Sequence, residues 1–105
     1  MDTLTPADVE SENLPGWSVR TGDVLALCTE AATGSFSAGL EFVNRIGELA
    51  EEVGHHPDIE LTYPQVRIAL TTHDASGLTA ADIDLARQIS AVANLLDIDL
   101  KAPED

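Results

Sequence analysis

Three histidines are the residues best suited to chemistry, and all of them fall in one short segment: His55, His56 and His73. Histidine's ordinary pKa of about 6.5 lets it take up and release a proton near neutral pH. Three readings fit such a set. The imidazoles could be unrelated, one hydrogen-bonded in the structure and the others solvated. They could be metal ligands, with water completing a tetrahedral zinc site. Neighbouring side chains in extended backbone diverge, however, and the spacing is not the helical His-Glu-x-x-His pattern. Or they could act as acid and base without a metal, one imidazole giving a proton to a departing hydroxyl while another removes a proton elsewhere on the substrate. Positioned proton transfer of this kind is worth typically about 10²- to 10⁴-fold in rate. Clustering favours chemistry over accident, and leaves the acid–base reading only slightly ahead.

The neighbouring elements must bring these rings together. Ser35 can cap a helix in which Phe36, Leu40, Val43, Ile46, Ala50 and Val53 recur at helical spacing, a stripe expected to face the core. Gly54 ends that helix, because glycine readily adopts the left-handed conformation just past a C-terminus. His55 and His56 therefore sit on a connection. After Pro57 come two extended pieces, "IELTY" and "QVRIALTTH"; the second puts Val66, Ile68 and Leu70 on one face and Arg67, Ala69, Thr71 and His73 on the other. Pro64 marks a bend or an edge between them. "DASG" turns the chain, and Thr79 with Asp82 forms a capping-box-like start to a helix with Leu85, Ala86, Ile89, Val92, Ala93 and Leu96 as its apolar stripe. Upstream, Thr5 and Pro6 open a short helix ending before "LPGW". Trp17 begins a strand, which pairs with "VLALCTEAA" through Gly22-Asp23. The order α-β-β-α-β-β-α predicts an α+β fold: a four-stranded antiparallel sheet with three helices packed on one face.

A chain of 105 residues supports one domain, here 1–105, with acidic, frayed ends expected at 1–4 and 98–105. Its 19 acids against five bases give a net charge of −14, which opposes nucleic acid and anionic membranes as partners. The stretch "MDTLTPADVESEN" has acids where a secretion signal needs a basic and then an apolar region, and no apolar run is long enough to span a bilayer. A soluble, cytoplasmic protein is the expectation. The single cysteine, Cys28, reads as a small buried residue on a strand.

The segment "HHPDIELTYPQVRIALTTHDASGLTAADIDLARQI" resembles the signature of the pterin-4a-carbinolamine dehydratases: HHP, a Tyr, an alternating strand ending in TH, then GLT, an Asp and a helix. The likeness is close over residues 50–89 and looser upstream, through "LPGW", Phe36 and "AEE". It implies a hydro-lyase that removes water from 4a-hydroxytetrahydropterin, the carbinolamine released by aromatic amino acid hydroxylases, to give quinonoid dihydropterin. It implies no metal and no cofactor, the pterin being the substrate. His55, His56 and His73 correspond to the family's acid–base histidines lining the pterin pocket. Pro57 corresponds to a residue that shapes the pocket, and Thr72, Asp74 and Ala75 to residues lying against the ring. Glu51 and Asp82 match acidic positions near the site, suited to orienting an imidazole or binding the pterin amino group. Glu51 also reads as helix surface, and Asp82 as a helix cap. Three departures stand out: Gly54 where an acid or amide is common, Leu25 and Leu27 where aromatics are common, and Pro64 where Asn often follows the Tyr. The family's habit of forming dimers and tetramers implies a homo-oligomer. Its second role, as a coactivator of a homeodomain transcription factor in animal cells, finds no supporting residues here. A non-enzymatic interaction module retaining the fold is the alternative from a different functional class.

Overall fold

The structure, a computed structural model, describes residues 2–103. The elements follow in the order α1 (Pro6–Ser11), β1 (Ser18–Arg20), β2 (Ala26–Ala32), α2 (Phe36–Val53), β3 (Asp58–Leu61), β4 (Gln65–Leu70), a 3₁₀ turn (His73–Ala75), α3 (Ala80–Leu95) and β5 (Asp99–Lys101). All strand pairs are antiparallel. The order across the sheet is β1-β2-β4-β3, and β5 also pairs with β2. Because β4 holds one edge of β2 from Leu27 to Ala32, β1 and β5 share the other edge, opposite Ala26–Cys28 and Glu30–Ala32 respectively.

The α+β class agrees with the sequence; the strand count does not. The sheet has five strands among the described residues, where four were expected, because Asp99–Lys101 pairs with β2 rather than fraying. Ile98 is buried and Leu100 half-buried in the core, so the "IDLK" alternation outweighs the charge around it. Leu4 is likewise held, through a bridge to Leu78; Met1, Glu104 and Asp105 of the expected frayed ends lie outside the described residues.

Alternation divides the sheet into two faces. Leu27, Ala31, Val66, Ile68 and Leu70 join Phe42 and Ile46 of α2 and Leu85, Ala86 and Ile89 of α3 in one core. By the same register, Cys28, Glu30, Arg67, Ala69, Asp58 and Glu60 line the open face, where Arg67 pairs with both Glu30 and Glu60 at 3.1 Å. Burial pushes the Cys28 thiol pKa up, with nearby Arg20 working weakly against that.

The face that α2 buries is rotated from the expected one. Gly39, Phe42, Ile46 and Ala50 are buried, whereas Phe36, Leu40 and Val53 of the expected stripe are exposed. Gly39 explains the rotation: a Cβ there would lie 2.7 Å from Leu61 Cδ1, so the helix comes closest to the sheet along a line that carries no side chain at that point. Trp17 is buried, and its indole N–H donates to Ser90 Oγ at 2.9 Å, pinning the start of β1 to α3.

Candidate active site

Four chain segments meet where α2 ends and α3 begins. Gly54 caps α2 in the left-handed conformation (φ 70°, ψ 28°), and the N–H groups of Gly54 and His55 both donate to the Ala50 carbonyl. Gly54 turns the chain there, so that His55 and His56 leave the helix toward α3. At the other side, Thr72 lies two residues past the end of β4, and Thr72 and Gly77 exchange backbone hydrogen bonds across a loop holding the His73–Ala75 turn. Ser76 closes that turn in the left-handed region, at φ 54°.

Asp82 joins these segments. It is fully buried, at the third position of α3, and accepts from the backbone N–H of its own N-cap, Thr79, at 3.0 Å, as the capping box requires. The same oxygen accepts from the Thr72 hydroxyl at 2.7 Å, and the other carboxylate oxygen meets His55 Nε2 at 2.6 Å. The His55 side chain is 18% exposed. His56 has a carboxylate partner of the opposite character: its Nε2 pairs with Glu51 on the last turn of α2, and both side chains are largely exposed.

The structure therefore brings His55, Asp82 and Thr72 into one bonded network, with His73 following Thr72 directly in the chain. His73 and Asp74 are exposed, while Ala75 and Pro57 are half-buried; none of the four takes part in the Asp82 network. Thr72 is buried, with its hydroxyl turned inward to Asp82. Thr79 was legible only as a cap, yet its hydroxyl lies 2.8 Å from that of Thr72. Two concavities lie away from these residues, one of about 750 Å³ on the open sheet face around Arg20, Cys28 and Arg67, and one of about 530 Å³ beneath α1.

Two imidazole–carboxylate pairs, one largely buried and one exposed, lie at the end of an antiparallel sheet covered by helices, and the fold sets the class as a small α+β protein. Comparison with known proteins places it within that class. The chain belongs to the pterin 4 alpha carbinolamine dehydratase family, whose model matches residues 2–92. A protein of Thermosynechococcus vestitus provisionally named pterin-4-alpha-carbinolamine dehydratase is 44% identical over 94 residues, covering 88% of this chain and 96% of that one. One of Thermomicrobium roseum with the same provisional name is 45% identical over 94 residues, covering 90% and 97%. Among solved structures, the crystal structure of a transcriptional coactivator/pterin dehydratase from Brucella melitensis superposes with a TM-score of 0.80 at 30% identity, covering 88% of this chain and 99% of that one.

Proposed function

We propose that this chain dehydrates 4a-hydroxytetrahydropterin by histidine acid–base catalysis. One imidazole protonates the C4a hydroxyl, which leaves as water with the C–O bonding electrons. A second imidazole takes the ring-nitrogen proton, and the electron pair so freed closes the C=N bond of quinonoid dihydropterin. No oxidant, metal or cofactor enters the balance. The single observation that carries this reading is the Asp82 bridge, since His55 on one segment and Thr72, next to His73, on the other share one carboxylate. His55, His56 and His73 are the proposed catalytic residues; Glu51, Pro57, Thr72, Asp74, Ala75 and Asp82 are proposed to shape or bind the pterin site.

The test is a dehydration assay on freshly generated 4a-hydroxytetrahydropterin. Replacing His55, His56 or His73 with Ala is expected to lower turnover by about 10²-fold or more; undiminished turnover in all three variants sinks the assignment. Metal analysis and chelation during the same assay separate a metalloenzyme.

The setting follows from the same reading: a cytoplasmic enzyme, with an aromatic amino acid hydroxylase as its pathway partner and a dimer or tetramer as its assembly. No helix among the described residues is long and apolar enough to cross a membrane. Exposed Phe36 and Leu40 on α2 favour self-association. The coactivator half of the Brucella protein's name favours one rival, an interaction module that retains the fold. Absence of reduced-pterin binding, together with absence of dehydration, would decide for that rival.

A further inference from the structure

His55 meets Asp82 through Nε2, and what lies behind Asp82 determines which ring nitrogen His55 keeps for the substrate. We propose that Thr72 and Thr79 are positioning residues, whose chained hydroxyls hold Asp82 so that His55 carries its hydrogen on Nε2 and presents its lone pair on Nδ1. The use of that lone pair rests on the dehydratase reading; the hydrogen-bond chain does not.

Every hydrogen in the chain has one place to go. As a carboxylate Asp82 can only accept, and its other oxygen already takes two donors, so the hydrogen shared at 2.6 Å rides on His55 Nε2. The positive end of α3 favours the negative charge there. One carboxylate oxygen takes the Thr79 N–H and the Thr72 O–H, at 3.0 and 2.7 Å, leaving the other for His55. Thr72, its single hydrogen spent, can only accept from the Thr79 hydroxyl at 2.8 Å. Thr79 in turn spends its hydrogen on Thr72 and accepts the Ala81 N–H at 3.3 Å. No hydroxyl can reverse without breaking a bond to Asp82 or facing a donor with a donor. Thr72, Thr79 and Asp82 are all buried, so water does not substitute for a lost partner. The His56–Glu51 pair has no such backing and sits in solvent.

The experiment is ¹⁵N NMR of the full-length protein labelled at histidine, with His55 assigned by a His55→Gln variant. In the wild type, the neutral His55 ring is expected to carry its hydrogen on Nε2, with that hydrogen protected from exchange. Thr72→Val keeps the shape and removes the hydroxyl. It is expected to speed exchange of the Nε2 hydrogen about tenfold, as loss of a hydrogen bond to a charged group implies, and to lower turnover. Thr72→Ser restores the hydroxyl and is expected to restore both. A wild-type ring carrying its hydrogen on Nδ1 overturns the proposal, even if Thr72→Val fails to fold. So does unchanged exchange in a folded Thr72→Val variant. A wild type with the expected ring hydrogen but no dehydration supports the hydroxyl chain and overturns the dehydratase reading; dehydration with exchange unmoved by Thr72→Val does the reverse.

Discussion

Asp82 and Glu51 each hold a histidine, and their burial separates what each contributes. Asp82 is fully buried beneath three donors, so removing its carboxylate leaves the Thr72 hydroxyl, the Thr79 N–H and the His55 ring without an acceptor in a dry site. Stranded buried partners of a charged group are costly, and Asp82→Ala is expected to lose about 3–5 kcal/mol of unfolding free energy. The Glu51 side chain is 78% exposed, and water replaces it readily. Glu51→Ala is expected to stay within about 0.5 kcal/mol of the wild type. Urea unfolding of the two variants side by side checks this. Equal losses would mean that the Asp82 network carries no more of the fold than a surface pair does. A turnover loss in Glu51→Ala at unchanged stability would assign Glu51 to the chemistry rather than to the fold.

The elements were legible wherever a local signal specified them. Thr5, Ser35 and Thr79 cap the three helices, Gly54 ends α2, and β4 alternates as its residues dictate. What needed tertiary information was not legible. Glycine contributes nothing to an apolar stripe, so the close approach at Gly39 was hidden and the buried face of α2 was drawn too near Phe36 and Leu40. The third bond to Asp82 depends on the end of β4 lying beside the start of α3, which no spacing reports. The last strand was concealed by the acids around it, and its seat depends on Gly16. That residue has φ 86°, and a Cβ there would lie 2.7 Å from the Leu100 carbonyl oxygen. Gly16→Ala therefore combines a left-handed backbone penalty of about 1–2 kcal/mol with displacement of β5. The expected result is a loss of about 2 kcal/mol or more, with amide exchange accelerating at Asp99–Lys101 before it does in β4. Uniform acceleration across the sheet would show that β5 is not a separate unit.

Taken whole, the molecule opposes strong self-repulsion to the apolar side chains it exposes. Of its five basic residues, Arg45, Arg67 and Arg87 are already paired with glutamates, so the net charge of −14 meets little local compensation. Phe36 at 51% and Leu40 at 44% exposure lie one turn apart on α2 and supply what burial between copies requires. Two copies at low salt bring two like-charged bodies together, and screening shortens that repulsion from about 30 Å at 0.01 M to about 10 Å at 0.1 M salt, while leaving apolar contact intact. Assembly is therefore expected to strengthen as salt rises, against the usual behaviour of contacts held by ion pairs. Sedimentation equilibrium across that salt range checks this, with the mass moving from that of one chain toward a dimer or tetramer. Leu40→Glu is expected to hold the protein as single chains at every salt concentration. Dissociation on adding salt would mean that charged groups hold the copies together, and assembly undiminished by Leu40→Glu would locate the contact away from this face of α2.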